Sequence, residues 1–225
     1  MSLRPRTSVA VQRADLLITA PVAEPITVGE LREHLKLAPG QEERFLQAMI
    51  IVAREALERI TGLALLTQTW RMTLDDWPRQ SDRWWDGVVQ MAISELYSGG
   101  GPRWVEISRY PLRSIESVKT FDSEGNVTNV SVTDNFDVDN TSIRGRMILK
   151  DGKSWPIALR THGAIEIEYK AGYGDYWNSI PWGVRQAVMQ MAAYFYAHRG
   201  DCNGDNAFRK SGAAGLISNH SRARL

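Results

Sequence analysis

The side chains able to do chemistry are plentiful in this 225-residue chain, but their spacing gathers few of them. Four histidines, His34, His162, His198 and His220, are scattered along it, and Cys202 is the single cysteine. One thiol builds neither a zinc framework nor an intramolecular disulfide, and it suits synthesis in a reducing compartment. Asp134-Asn135-Phe136-Asp137-Val138-Asp139 resembles a calcium loop only superficially. It lacks the sixth-position glycine and the distal bidentate glutamate of that geometry, so a turn entering a strand is expected. Gly99-Gly100-Gly101 is followed by no Lys-Ser/Thr pair and is no phosphate loop. Gly172-Tyr173-Gly174 lacks the third glycine and the helix of a dinucleotide fingerprint and is expected to turn the chain. No Gly-x-Ser-x-Gly elbow supplies a nucleophile. What remains is carboxylate chemistry at Asp75-Asp76 or at Glu166 and Glu168. Adjacent strand residues point to opposite faces, and Glu166 and Glu168 fall on the polar side of an alternating strand. The chain is therefore expected to be no enzyme and to need no cofactor or metal. A small carboxylate-dependent hydrolase is the alternative.

Composition agrees with a folded domain. Hydrophobic residues make up 43% and charged residues 24%, while the formal charge is only +1. A protein that grips DNA through many phosphates carries a basic excess, which is missing here at the level of the whole chain. Both ends lean basic, with Arg4, Arg6 and Arg13 at the front and Arg209, Lys210, Arg222 and Arg224 at the back. Such residues either solvate flexible tails or meet an acidic surface or DNA. No membrane role is expected. Leu16-Leu17-Ile18 is too short for a secretory apolar core, and the apolar run Met49–Ala53 is cut by Arg54. Eight Trp and seven Tyr supply the amphipathic rings favoured at interfaces as well as in cores.

The elements that must position these residues follow from periodicity. Residues 1–26, with Pro5, Pro21 and Pro25, suit an extended arm. Thr27-Val28-Gly29-Glu30 reads as a capping box opening a short helix over 27–37. Residues 41–61 form a long helix with two adjacent apolar stripes. One contains Phe45, Met49, Val52, Ala56 and Ile60, the other Leu46, Ile50, Ala53 and Leu57. Gly62 stops it. The period then switches to two, giving a strand over 66–74. Residues 79–103 read equally as a hairpin or a short helix, in an insertion. Strands are expected at 104–108, 115–121, 127–132, 135–139, 146–150 and 163–170, within a β block and insertion spanning 65–173. A last helix over 181–199 opens at Pro181 and carries Val184, Ala187, Val188, Met191, Ala192 and Phe195 on one face. The fold class is α+β: a helical core of two long helices plus a short N-terminal helix, an inserted antiparallel β block, and extended terminal arms. Residues 27–200 form the main domain and 201–225 a C-terminal tail.

Several of these patterns occur in an order that resembles the head–tail connector (adaptor, head-completion) proteins of tailed phages and phage-like gene-transfer particles. They are Pro25-Ile26-Thr27 with Glu30 and His34-Leu35-Lys36-Leu37; Ala53-Arg54-Glu55-Ala56-Leu57-Glu58 with Thr61-Gly62 and Gln68-Thr69-Trp70; and Tyr110-Pro111-Leu112 with Ile115 and Val118. Phe136-Asp137-Val138-Asp139, Trp155-Pro156, Ile167 to Tyr173, and Ile180-Pro181 with Val184, Gln186-Ala187 and Tyr196 complete the series. The resemblance covers roughly residues 21–200. It implies a homo-oligomeric ring, typically a dodecamer, under the portal protein of a capsid made in the bacterial cytoplasm. The ring would continue the DNA channel without sequence-specific binding and present a platform to a stopper or tail-completion protein. In that setting the portal-contact candidates are Arg209, Lys210, Leu216, Ile217, Arg222 and Arg224. Because the helix faces look wider than one partner needs, Leu46, Ile50, Leu57, Tyr194 and Tyr196 are the candidates for subunit contacts.

Overall fold

A computed structural model describes residues 13–40, 42–78, 103–142, 144–200 and 203–218. The chain divides into two compact units: one of residues 1–18, 69–108 and 112–170, the other of residues 19–68, 109–111 and 171–225. The insertion at 79–102 lies outside the described residues.

The second unit is helical. Its first helix, α1 (Val28–Leu35), opens on the expected capping box: Glu30 N donates to Thr27 Oγ1 at 3.1 Å, and Thr27 N donates to Glu30 Oε2 at 2.7 Å. Helix α2 (Glu43–Thr61) ends at Gly62, whose positive φ of 79° lets its amide close back on the Glu58 carbonyl. These helices share one core with a later one, here α4 (Trp182–Ala197), through Leu46, Ile50, Ala53 and Leu57 on one side and Val184, Ala187, Val188, Met191 and Phe195 on the other. The pairing of α2 with α4 is the largest helix contact of the unit. At Gly172 (φ 136°) a β-carbon would stand 2.3 Å from the Leu66 carbonyl oxygen, so only glycine lets the two segments meet.

Residues 203–218 correct the expected tail. They form two short helices, α5 (Gly204–Lys210) and α6 (Ala213–Ile217), which pack on α2 and α4. Asn203 caps the first by accepting the amides of Asp205 and Asn206. Ala207, Ala213 and Ile217 are buried in the common core. Helices this short gain their stability from packing rather than from propensity, which is why they leave so faint a periodic trace.

The first unit carries the β block. A five-stranded sheet runs in the order β1 (Arg13–Thr19), β2 (Gln68–Leu74), β8 (Ile165–Ala171), β4 (Leu112–Phe121), β5 (Val127–Val130). A second sheet, β3 (Trp104–Glu106), β7 (Arg146–Leu149), β6 (Phe136–Asp139), is antiparallel throughout. Part of the expected N-terminal arm is thus an edge strand. The β4–β5 hairpin pairs Val118 with Val130 and Phe121 with Val127. It turns where Asp122 accepts the amides of Glu124 and Asn126. Along β8, Ile165, Ile167 and Tyr169 are buried and Glu166, Glu168 and Lys170 half-buried, the expected sheet with one wet face.

Asp134 to Asp139 span a one-turn helix, α3 (Val132–Asn135), and β6, and do not converge on a cation site. Asp139 instead organises the turn that follows. It accepts both the amide and the hydroxyl of Thr141 and of Ser142, and it pairs with Arg146 at 2.7 Å. The Ser142 hydroxyl, the Arg146 guanidinium and the Thr141 hydroxyl hold its carboxyl well below the usual aspartate range. A folded value below the unfolded one means a contribution present above the ordinary aspartate value and lost as pH falls through the folded value. Asp139→Asn should therefore melt below the wild type at pH 7, with the gap narrowing in thermal scans once the pH drops under about 4.

Candidate assembly surfaces

The four carboxylates suggested for hydrolysis have structural partners. Asp75 accepts the Gly163 amide at 2.7 Å, and Asp76 accepts the Trp77 amide at 2.8 Å. Glu168 takes a two-nitrogen contact from Arg71, at 2.6 and 3.1 Å, and Glu166 lies 3.6 Å from the same guanidinium. These are cross-strand ion pairs of a sheet face. Among the described residues no cluster of His, Cys, Asp or Glu could hold a metal ion. No helix among them is long and apolar enough to cross a membrane.

Among the described residues the one deeply buried carboxylate is Glu58 on α2. Its Oε2 receives Arg54 at 3.0 Å, and its Oε1 receives the Leu65 amide at 2.8 Å and the Gln68 amide group at 2.6 Å. Burial pushes Glu58 above the usual glutamate value, against the pull of the Leu65 amide, Arg54 and Gln68. Glu24 holds Arg54 from the other side at 2.9 Å, and Arg109 donates to the Glu58 carbonyl. Every strong donor and acceptor in this cluster faces another protein group. It ties the end of α2 to the chain entering β2, and it leaves no open face for a substrate.

The sequence-based contact candidates separate into two groups. Leu46, Ile50 and Leu57 are at most 1% exposed and belong to the chain's own core. The second apolar stripe of α2 is consumed by α4 and does not reach a neighbouring subunit. Ile217 is likewise buried at 1% exposure, and Leu216 is partly buried against the same core. Arg209 and Lys210 are exposed, while Arg222 and Arg224 lie outside the described residues. Tyr194 and Tyr196 are half-buried near the end of α4. Tyr194 stacks on His198 with ring centroids 4.2 Å apart. Tyr196 donates to Glu42 at 2.8 Å, and Arg199 bonds both oxygens of that carboxylate while lying over the Phe45 ring. The Tyr196 hydroxyl and then Arg199 hold Glu42 below the usual glutamate value.

A surface absent from the sequence-based candidates is more prominent. Tyr176, Trp177 and Trp182 are 68%, 49% and 70% exposed, and all sit at the entrance to α4. The Arg185 guanidinium lies 4.4 Å from the Trp177 ring centroid and 4.8 Å from that of Trp182. Arg185 is itself buried, donating to the Pro25 carbonyl at 2.9 Å and to Glu30 at 2.6 Å. Beneath the Pro21–Val28 segment, beside Gln47 and Ile50, a recess of about 320 Å³ opens to solvent. The helical stripe of α4 carried a signal for this surface. Trp182 falls off the Val184–Ala187–Val188–Met191 face, and a tryptophan off the core face of a helix must point elsewhere.

The fold is α+β, as expected from periodicity: a helical unit, which carries the aromatic face, and a two-sheet unit. No family model matches the chain, and no curated protein matches it. Solved structures share the fold over almost its whole length. A chain in the neck of an empty GTA particle, computed with C6 symmetry, superposes with a TM-score of 0.70 at 24% identity, covering 94% of this chain and 97% of that one. A chain in the virion of a native gene transfer agent (GTA) particle gives 0.68 at 22% identity, covering 94% and 96%. A chain in the neck of a native GTA particle, computed with C12 symmetry, gives 0.66 at 24% identity, covering 94% and 97%.

Proposed function

We propose that this chain is a structural neck protein of a phage or gene-transfer particle. More specifically, it is a head–tail adaptor that assembles as a ring between portal and stopper or tail. The observation that carries this reading is the likeness, over 94% of the chain, to chains in particle necks computed with cyclic symmetry. The near-neutral charge suits a lining past which DNA slides without being held. The engagement of Asp75, Asp76, Glu166 and Glu168 in turn and sheet contacts favours assembly over hydrolysis. In this role Arg209 and Lys210, with the segment bearing Arg222 and Arg224, face the portal, and the end of α4 at Tyr194 and Tyr196 lies near a subunit junction.

The test adds purified protein to portal-bearing, DNA-filled capsids that lack a neck, followed by electron microscopy of the vertex. A ring of added density below the portal is expected. Protein that stays as single copies and leaves the vertex bare overturns the proposal. A hydrolytic activity lost on replacing the four carboxylates with Ala, with ring formation intact, would favour the hydrolase instead.

A further inference from the structure

Strand β1 exposes all seven of its residues, and Leu16, Leu17 and Ile18 keep 59%, 38% and 43% of their surface. Side chains alternate along a strand, so Leu16 and Ile18 mark one face and Leu17 the other. β1 ends the strand order of its sheet. Natural edge strands are usually guarded by charged side chains, Pro, a bulge or extreme shortness; β1 carries its charges, Arg13 and Asp15, at its start, and Leu16-Leu17-Ile18 runs on without a charge or a Pro. An edge of this kind is made to be covered.

The aromatic face at the start of α4 has the opposite character, being broad and fixed. Trp177 lies in a 3₁₀ turn, Trp182 begins the helix, and Arg185 holds both rings from beneath. Rings fixed before binding lose little freedom on contact, and Trp, Tyr and Arg are the residues that dominate binding energy at interfaces. Among the described residues the other exposed large apolar side chains, Val22, Val52, Val127 and Ile157, are widely spaced in sequence, and single apolar residues on a surface are ordinary.

A closed ring of more than two copies needs two unlike surfaces on every copy, because a patch that meets itself stops at a dimer. Resting on the ring reading above, we infer that neighbouring copies join head to tail, the Leu16 and Ile18 face of β1 on one copy seating on the Tyr176–Trp177–Trp182 face of the next. The areas suit this. At about 200 Å² per aromatic side chain the three rings leave roughly 400 Å² open, and the β1 aliphatics add on the order of 150 Å². Together that is more than half of the roughly 900 Å² of apolar area in a standard interface. Polar contacts around the rim supply the remainder.

The test uses the full chain on portal-bearing capsids. Leu16→Asp and Trp182→Asp are each expected to lower ring occupancy by about thirtyfold or more while circular dichroism is unchanged. Mixed, the two variants keep one intact junction per pair, so they should give heterodimers and no rings. In a Cys202→Ser background, Leu16→Cys and Trp182→Cys should form a disulfide-linked dimer when mixed and none when kept apart. Rings formed at wild-type yield by either Asp variant, or cross-linking of Trp182→Cys with itself, overturn this junction and leave the adaptor reading standing. Wild-type protein that forms no ring overturns both.

Discussion

Glu58→Ala should lower the unfolding free energy by about 3–5 kcal/mol, because it takes from a buried cation its one buried counter-ion and from two buried donors their acceptor. The side chains of Arg54 and Glu58 are each only 7% exposed. Removing the carboxylate leaves Arg54 with Glu24 at 2.9 Å and with the exposed Glu55 at 3.4 Å. The Leu65 amide and the Gln68 amide group lose their acceptor at the same time. A buried donor that loses its acceptor forfeits the hydration it gave up on folding, and here the Leu65 and Gln68 donors do so together while Arg54 keeps only part of its compensation. Glu58→Gln keeps the length and one carbonyl acceptor, so it should cost less, about 1–3 kcal/mol. Urea unfolding followed by circular dichroism separates the two. Equal losses would mean that the charge contributes nothing beyond the hydrogen bonds.

That cluster also shows where sequence reasoning stops. The helix carrying it was legible, because Leu46, Ile50, Ala53 and Leu57 repeat at helical spacing and Gly62 ends the run. Arg54 and Glu58 sit four apart on the same helix, a spacing that by itself marks only a local ion pair. Their burial depends on Glu24, Gln68 and Arg109, which no local pattern connects to α2. The strands of the β block were legible for the same reason as the helices: alternation at Ile165–Lys170 and turn residues at Asp122–Asn126 are local signals.

Contact surfaces were less legible, since an apolar stripe says that a face is covered and not by whom. Leu46, Ile50 and Leu57 looked like surplus surface only while the packing of α4 against α2 was unknown. For Trp177 and Trp182 composition does not separate a core ring from a contact ring, and their exposure comes with the turn at Trp177–Ser179 and the placement of Arg185 against both rings. β1 lacked a signal of a different kind. A strand exposed on both faces has no in–out alternation to betray it, so Arg13–Thr19 read only as an extended arm.

The C-terminal segment turns this distinction into a measurement. Removing residues 203–225 should destabilise the helical unit severely, because Ala207, Ala213 and Ile217 leave its core. Gly204 lies so close to α2 that a β-carbon there would sit 3.0 Å from that of Ala56, so the loss also uncovers a tightly packed stretch of α2. Ile217→Ala alone should cost about 2–5 kcal/mol in urea unfolding, as large-to-small changes in a core do. Removing only residues 219–225 takes away Arg222 and Arg224 but none of the packing of α5 and α6, so stability should stay within about 0.5 kcal/mol of wild type. Under the adaptor reading, that shorter truncation combined with Arg209→Glu and Lys210→Glu should still weaken attachment to portal-bearing capsids about tenfold, through several exposed charges each worth a fraction of a kcal/mol. Co-sedimentation with the capsids reads the second effect, and unfolding reads the first. Undiminished attachment by a stably folded variant would remove these basic residues from the portal contact, whereas loss of attachment together with loss of stability would say only that α5 and α6 hold the fold.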